Sequence, residues 1–330
     1  METVNILVSS PTDEEILNRI AAVSPRVKIQ NVWDLSRADY RGDSSARDEL
    51  DSVLADVEIV YGIRLPRDLV NRAPKLKWVQ VMTAGVDRFL DDNFRNSKVI
   101  LTNVSGIHAT PISEFVMEQI LMFAKNAALC FELKQKKQWQ GYEPKVLRGK
   151  TVGVVGLGNI GKEVARLSKA FGMRVIATRR SDPRAPRTRN VDLMLSRQEL
   201  PRLLVESDYV VITLPYTRET HNLFGEKELR SMKPTAYLIN IGRGGIIDED
   251  VLARALSENW IAGAGLDVFA TEPLPPESKL WELPNLLFSP HVSGNMEDYI
   301  GQTTEVFCKN LSRYLEGKKL LNVVDKQRGY

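Results

Sequence analysis

The chain has 330 residues, of which 43% are hydrophobic and 26% are charged, a composition typical of a globular protein with two domains. Its formal net charge is only +3 and is spread along the chain, so neither a nucleic-acid-binding protein nor a membrane-surface protein is indicated. The apolar stretch 115–124 is interrupted by Glu118 and Gln119 and is too short for a membrane span.

The N-terminus and the cysteines indicate the compartment. An acidic residue and a strand-like run at 4–8 open the chain, so we expect no signal peptide. Cys130 and Cys308 are too few for a disulfide framework or a zinc site. We therefore predict no metal site, two ordinary thiols and a reducing, cytoplasmic setting.

Short β-branched runs alternate with helical patterns along nearly the whole chain, as in parallel sheets covered by helices. The first hundred residues contain strand candidates at 4–9, 27–32, 57–62, 78–82 and 99–102. A second series lies at 151–155, 174–178, 209–213, 236–240, 263–267 and 286–289. A long helical pattern at about 111–137 separates the two series, and another follows Gly294 to about Tyr314.

Two series of strands predict the α/β class, with two Rossmann-like or flavodoxin-like parallel-sheet domains. The boundary between them lies near Asn103. The helical pattern after Gly294 has room to return to the first domain, but the patterns alone do not decide this point.

A glycine-rich turn follows the first strand of the second series. It consists of Gly156, Leu157, Gly158, Asn159, Ile160 and Gly161, and a helical pattern follows it. In such a turn the first glycine permits the sharp bend, the second admits a pyrophosphate and the third lets the helix pack on the sheet. Phosphates also favour the N–H groups at a helix start. We predict a dinucleotide site here; the alternative is a glycine-rich packing turn.

The residues after the next strand indicate which dinucleotide is bound. NAD-binding proteins carry an Asp or Glu about 20 residues beyond the turn, on the ribose hydroxyls. Here Arg179 and Arg180 follow strand 174–178, and Asp182 comes later, before a proline. A guanidinium pairs with the 2′-phosphate of NADP, which a carboxylate would repel. NADP(H) is therefore predicted in preference to NAD(H); the alternative is two solvated surface arginines.

Three polar residues follow strands of the second series, at the sheet edge where ligands of α/β proteins bind. Arg243 lies between glycines after 236–240 and suits a substrate carboxylate and carbonyl. His291 follows 286–289, and histidine is the side chain whose ordinary pKa suits proton delivery near neutrality. Glu272 follows 263–267; a carboxylate orients an imidazole and favours its protonated form. Alone, Glu272 and His291 would be read as surface or structural residues, but the three together predict hydride transfer to a 2-oxo acid.

Taken together, these segments resemble the D-isomer-specific 2-hydroxyacid dehydrogenase family over nearly the whole chain. The resemblance is carried by the turn at 156–161, by Leu214, Pro215, Tyr216 and Thr217 with Thr220, and by 240–244, 265–269 with Glu272 and Pro273, and 290–294. It implies that Arg243 binds substrate, that His291 is the catalytic acid and base, and that Glu272 is its partner. NAD-type members carry Asp where this chain has Arg179, which resembles the NADP-preferring glyoxylate/hydroxypyruvate reductase branch.

The resemblance also implies the remaining ligand contacts, in a site at the cleft between the two domains. Asp267 is expected at the nicotinamide carboxamide. The other cofactor contacts are Leu214, Pro215, Thr220, Ile241, Ser293 and Gly294. A loop whose backbone N–H groups hold the substrate carboxylate is matched by Thr83, Ala84 and Gly85, which are otherwise a purely structural turn. His108 either lines the substrate pocket or begins a helix.

Domain boundaries, assembly and function follow from the same resemblance. We expect a discontinuous substrate domain at 1–103 and 294–330, a dinucleotide-binding domain at 104–293, and a homodimer through the helix at 111–137 and the arm with Trp139 and Tyr142. The expected reaction is the NADPH-dependent reduction of a short 2-oxo acid, such as glyoxylate or hydroxypyruvate, to the D-2-hydroxy acid, and its reverse. The alternative is a cofactor-sensing binding protein of the co-repressor type on the same fold.

Overall fold

The structure is a computed structural model that describes residues 3–179 and 189–329. The chain divides into two units, one of Met1–Ile107 with Met296–Tyr330 and the other of His108–Asn295. Among the described residues, no helix has the length and apolar character to cross a membrane.

The first unit is built on a parallel sheet of five described strands. These are β1 (Val4–Ser9), β2 (Val27–Asn31), β3 (Ile59–Gly62), β4 (Trp78–Val81) and β5 (Ile100–Thr102), in the order β2-β1-β3-β4-β5. The helices that follow them are α1 (Glu14–Ala21), α2 (Trp33–Arg41), α3 (Ser44–Leu54), α4 (Leu69–Arg72) and α5 (Asp92–Asn96). Strands β3 and β4 are buried along their whole length, as expected for strands covered on both faces.

The second unit is built on a parallel sheet of seven described strands. These are β6 (Thr151–Val155), β7 (Arg174–Arg179), β8 (Leu193–Ser196), β9 (Tyr209–Ile212), β10 (Tyr237–Asn240), β11 (Gly263–Leu266) and β12 (Leu286–Phe288). Its helices are α6 (Ala109–Ala124), α7 (Ala127–Gln135), α8 (Asn159–Ala170), α9 (Leu200–Glu206), α10 (Glu226–Ser231) and α11 (Glu249–Ser257). The predicted α/β class with two parallel sheets is confirmed.

Each sheet has a point where the strand order reverses. The second sheet runs β12-β11-β10-β9-β6-β7-β8, so the reversal lies between β6 and β9. In the first sheet it lies between β1 and β3. Ligands of doubly wound proteins bind outside the carboxyl ends of the strands at such reversals.

The prediction of one helix over 111–137 is wrong, because α6 ends at Ala124 and α7 begins at Ala127. Asn126 adopts a left-handed conformation with φ of 52° between them. Residues of the following arm bind the carbonyl groups that the end of α6 leaves free: Lys145 N lies 2.7 Å from Ala124 O, and the Tyr142 hydroxyl donates to Lys125 O at 3.0 Å. These contacts come from about twenty residues away, so helical periodicity does not reveal them.

Strand β8 was not predicted. It has only four residues, lies at the sheet edge and is mostly half-buried, which gives no clear alternation of apolar and polar side chains. It pairs with β7 in parallel, from Ile176 opposite Leu193 to Arg179 opposite Ser196.

The C-terminal helix α12 (Tyr299–Leu315) packs on the five-stranded sheet. Phe307 is fully buried and stacks on Tyr61 with 4.2 Å between the ring centroids. The Tyr61 hydroxyl lies 3.1 Å from the hydroxyls of Thr303 and Thr304. Burying a side chain of this size contributes about 1.5–3 kcal/mol, so this packing holds the C-terminal segment in the first unit.

Candidate active site

The glycine-rich turn follows β6, at the reversal of the second sheet. Gly156 has a φ of +102°, a conformation that side-chain-bearing residues rarely adopt. A Cβ on Gly161 would lie 2.2 Å from the carbonyl oxygen of Gly156, so only glycine lets α8 start this close to the strand. Thr213, directly after β9, donates its hydroxyl to the same carbonyl at 2.5 Å. The turn is therefore held closed from the neighbouring strand.

Gly158 differs from its two neighbours. A Cβ on this residue would meet no described atom within 4 Å, so packing does not require glycine here. Gly158 precedes α8, whose first residues are Asn159 and Ile160. Open space in front of helical N–H groups, with no side chain in the way, fits the pyrophosphate of a dinucleotide.

Arg179 is the last residue of β7, one residue beyond the point where that strand meets the turn. Gly156 N donates to the carbonyl of Thr178 at 3.2 Å, and the half-buried Arg179 follows at once. This is where the predicted contact to the ribose or its 2′-phosphate belongs. Arg180, the second arginine of that prediction, lies outside the described residues.

The loop after β9 borders the same turn. Leu214 approaches Gly156 with its side chain. Thr220 is buried, donates its hydroxyl to Pro215 O at 2.8 Å and accepts from Thr217 N at 2.7 Å. The structure thus uses the Thr220 hydroxyl to shape the loop that carries Leu214 and Pro215. Ile241, after β10, is buried, and its N–H lies 3.3 Å from Ile212 O.

Arg243 lies in a loop held by Asn240, the last residue of β10. The Asn240 side chain donates to Arg243 O at 3.0 Å and accepts from Gly242 N at 3.0 Å. The half-buried guanidinium donates to Gly242 O at 2.8 Å. The Asn240 side chain thereby fixes the backbone around Arg243.

His291 and Glu272 form a hydrogen-bonded pair. His291 Nδ1 lies 2.8 Å from Glu272 Oε2, and the other carboxylate oxygen accepts from Phe269 N at 3.0 Å. Because a carboxylate only accepts, Nδ1 carries the proton and Nε2 is the ring nitrogen that can exchange a proton with a substrate. The His291 side chain is 48% exposed, and its backbone is left-handed with φ of 54°.

Asp267 holds the loop that carries His291. It is 1% exposed, and its carboxylate accepts from the Ser289 hydroxyl at 2.6 Å, from Val292 N at 2.9 Å and from the N–H and hydroxyl of Ser293. Asp267 was predicted at the nicotinamide carboxamide, and these contacts were not predicted. The serines on both sides of His291 were the only sequence signal for them.

Glu249 is a second carboxylate near the pair, and it was not predicted from the sequence. It is the first residue of α11, and its Oε1 accepts from Ala270 N at 2.6 Å. Glu249 and Glu272 therefore hold the consecutive N–H groups of Ala270 and Phe269. Burial, helped by the charges of Asp250 and Glu272, raises the pKa of Glu249 above its ordinary value, while the Ala270 N–H opposes this shift.

His108 directly precedes α6 and is 8% exposed. Its ring lies beside Gly294, where a Cβ would come within 3.1 Å of His108 Cδ2. Burial lowers the pKa of His108, so the neutral ring is favoured. Its position before α6 is that of a helix-entry residue, and its role in lining the substrate pocket stays a prediction.

The Thr83–Gly85 turn of the first unit follows β4. Thr83 donates its hydroxyl to Gly85 O at 2.8 Å, and the Asn103 amide donates to Ala84 O at 2.7 Å. Val104 N lies 3.3 Å from Thr83 O. Carbonyl groups of all three residues are thus bound from outside or within the turn, which fixes its backbone.

Comparison with known proteins identifies related sequences. The sequence model for the NAD binding domain of D-isomer specific 2-hydroxyacid dehydrogenases matches residues 117–293. The chain is 36% identical over 275 residues to a glyoxylate reductase of Aeropyrum pernix, which covers 80% of this chain and 81% of that protein. It is 35% identical over 283 residues to a glyoxylate/hydroxypyruvate reductase B of Pectobacterium carotovorum, which covers 83% and 87% respectively.

Among solved structures, the chain is similar to an NADPH-dependent glyoxylate/hydroxypyruvate reductase of Sinorhizobium meliloti in complex with NADP and sulfate. The TM-score is 0.84 at 28% identity, over 99% of this chain and 100% of that one.

Proposed function

The chain belongs to the D-isomer specific 2-hydroxyacid dehydrogenase family, and from that premise we propose that it reduces a short 2-oxo acid such as glyoxylate or hydroxypyruvate with NADPH. The product is the D-2-hydroxy acid, and the reverse oxidation uses the same residues. As a member of the family the chain is an NAD(P)-dependent oxidoreductase. The observation that carries the proposal is the 2.8 Å contact between His291 Nδ1 and Glu272 Oε2.

His291 and Glu272 have different roles in the proposed proton transfer. Bound NADPH supplies the hydride to the oxo carbon of the substrate. His291 donates the Nε2 proton to the oxygen that becomes the hydroxyl group, while Glu272 orients the ring and stabilises its protonated form. Arg243 binds the substrate carboxylate and polarises the carbonyl oxygen. For the turn of the first unit, the proposed role of the N–H groups of Thr83, Ala84 and Gly85 is to bind a carboxylate.

The cofactor is held by the residues around the reversal of the second sheet. Gly156, Gly158, Gly161 and the start of α8 at Asn159 and Ile160 suit the pyrophosphate. Arg179, with Arg180 beyond it, suits the 2′-phosphate of NADP. The cofactor site is completed by Leu214, Pro215, Thr220, Ile241, Ser293 and Gly294. We assign Asp267 to holding the His291 loop, because its carboxylate is buried and bound there.

Initial rates with glyoxylate and hydroxypyruvate, each with NADPH and with NADH, test this function. Arg179→Ala should raise the KM for NADPH about 10- to 100-fold, as expected for loss of a charge-assisted hydrogen bond, and leave the KM for NADH within about twofold. The control is Arg174→Ala at the other end of β7, where the arginine pairs with Glu206 at 2.8 Å; both KM values should stay unchanged.

Two results would contradict the proposal. A strict preference for NADH would remove the assignment of Arg179. Tight NADPH binding without reduction of any short 2-oxo acid would remove the reductase and favour the cofactor-sensing alternative.

We also propose a homodimer through α6, α7 and the following arm. A cavity of about 570 Å³ in this region is lined mainly by apolar side chains such as Met117, Leu121 and Phe171. Phe131 on α7 is 61% exposed, and Trp139 in the arm is fully exposed. Exposed aromatics of this kind are enriched in protein interfaces. Light scattering of the wild type should give twice the mass of one chain. The double variant Phe131→Glu with Trp139→Glu should give the mass of a single chain. A monomeric wild type would contradict the proposed dimer.

A further inference from the structure

A second cavity, which is more polar than the first, lies within the first unit alone. Its volume is about 370 Å³, and three arginines line it, Arg64, Arg67 and Arg88. Arg64 follows β3 and Arg88 follows β4, so the cavity opens at the carboxyl ends of the strands, the edge where ligands of parallel sheets bind.

The backbone of Arg64 is fixed at the reversal of this sheet. Ser9, the last residue of β1, donates its hydroxyl to Arg64 O at 2.5 Å. Its own carbonyl oxygen accepts from Ile63 N at 3.1 Å. The strand order of this sheet reverses between β1 and β3. Arg64 therefore lies next to the position where sheets of this type most often bind ligands.

The guanidinium groups are ordered by their neighbours. Those of Arg64 and Arg67 lie 5.1 Å and 5.0 Å from the ring centroid of Tyr40, which also lines the cavity. Arg88 donates from Nη2 to Ile63 O at 3.0 Å. Stacking on an aromatic ring and bonding to a carbonyl group reduce the entropy that each side chain would lose on binding an anion.

Two aspartates also line the cavity, but both are bound locally. Asp91 accepts from Phe94 N at 2.7 Å at the start of α5, and Asp68 accepts from the Asn71 amide at 2.6 Å. Among the ion pairs of the described residues, none involves Arg64 or Arg67, and the neighbouring Arg72 is the partner of Asp39 and Asp51. The three guanidinium groups of the cavity outnumber its two carboxylates, and guanidinium groups form strong charge-assisted hydrogen bonds with oxyanions.

The cavity is also close in sequence to the proposed substrate turn. Arg88 comes three residues after Gly85, so their Cα atoms are at most about 11 Å apart. An arginine side chain and the length of a short dicarboxylate together span this distance. A substrate carboxylate on the turn and a second anion at the arginines are therefore compatible.

We propose that this cavity binds the second anionic group, a carboxylate or a phosphate, of a 2-oxo acid substrate. The inference rests on the proposed reductase function and narrows its substrate class to 2-oxo acids with an anion at the far end. Glyoxylate and other monoanions are then reduced without this contact.

Matched substrates test the proposal: 2-oxobutyrate against oxaloacetate, and hydroxypyruvate against phosphohydroxypyruvate, all with saturating NADPH. The wild type should show kcat/KM about tenfold or more higher for the dianion of each pair, since one charge-assisted hydrogen bond contributes about 1.5–3 kcal/mol. In Arg64→Gln and Arg67→Gln the ratio of dianion to monoanion kcat/KM should fall at least about fivefold, mainly through KM. Arg64→Lys should retain part of it, and Arg19→Gln, on α1 of the same unit, should leave it unchanged.

Inorganic phosphate distinguishes a subsite for the anionic group of a substrate from a site for a free anionic effector. If the cavity is a substrate subsite, phosphate competes with the dianion and leaves monoanion rates unaltered. Equal kcat/KM for both members of each pair, or an unchanged ratio in both glutamine variants, would overturn the proposal. A phosphate-dependent change in monoanion rates would also overturn it, because the cavity would then bind a free effector. If no 2-oxo acid is reduced at all, the proposed function itself fails.

Discussion

The turn at 156–161 and the loops at 267–293 both lie at strand ends of the second sheet, but they are built differently. The turn depends on missing side chains, because Gly156 needs a left-handed φ and Gly161 has no room for a Cβ. The loops depend on hydrogen bonds to three carboxylates, those of Asp267, Glu272 and Glu249. One region is shaped by steric exclusion and the other by polar contacts.

Because of this difference, substitutions in the two regions should have different effects. A substitution in the turn should affect packing and cofactor binding together, whereas a substitution in the loops should affect the proton donor and leave cofactor binding intact.

Replacing the proton donor should have the largest effect. His291→Gln removes the general acid, so kcat for hydroxypyruvate should fall about 10²- to 10⁴-fold. The Kd of NADPH, measured by fluorescence titration, should change less than about twofold. The control is His221→Gln, because the side chain of this exposed histidine has one hydrogen-bond partner among the described residues, the Tyr216 hydroxyl at 3.0 Å. Retention of most of the activity in His291→Gln would remove this residue from the acid role.

Removing the charge of Glu272 should reduce kcat less than replacing His291. Glu272→Gln keeps an oxygen that can accept from Nδ1 but no longer stabilises the protonated ring, so kcat should fall about 10- to 100-fold. KM for the substrate should change little. If stopped-flow kinetics showed an unaltered hydride-transfer rate, the pair would be a surface contact without a catalytic role.

The turn can be tested by two glycines with opposite surroundings. Gly161→Ala brings a Cβ to 2.2 Å from the Gly156 carbonyl oxygen, so the free energy of unfolding should fall by about 1–3 kcal/mol. Gly158→Ala meets no described atom within 4 Å and should weaken NADPH binding without loss of stability. Chemical denaturation and NADPH titration check both. Equal destabilisation by the two variants would show that the turn is not shaped by this close approach.

The smallest effect is expected at Glu249. Glu249→Ala leaves the Ala270 N–H without its acceptor and loosens the segment that presents Glu272, so kcat should fall about three- to tenfold. Glu249→Gln retains the acceptor and should restore most of this activity. The KM for NADPH should stay unchanged in both variants. Equal losses in both would point to the charge of Glu249 instead of its hydrogen bond.

Features that depend on residues close together in the sequence were the ones that could be predicted. The glycine turn is local: Gly156 and Gly161 are five residues apart, and the strand and helix around them have clear patterns. Apart from β8, the strands of both sheets were also recognisable, because buried parallel strands are continuous apolar runs. The residue types and their positions after strands singled out Arg243, Glu272 and His291, of which the structure joins the last two by a hydrogen bond.

What the sequence did not predict depends on contacts between distant residues. Asp267 and Ser293 are 26 residues apart, and Glu249 and Ala270 are 21 apart. The break between α6 and α7 likewise depends on an arm that returns from Tyr142 and Lys145. Periodicity and propensity carry no information on such pairs.

The most direct test of the account follows one reaction to its product. Purified wild-type protein with NADPH and hydroxypyruvate should consume one NADPH for each hydroxypyruvate reduced, and chiral chromatography should find D-glycerate as the product. Absence of NADPH oxidation, or formation of L-glycerate, would contradict the central claim that this chain is a D-specific 2-oxo acid reductase.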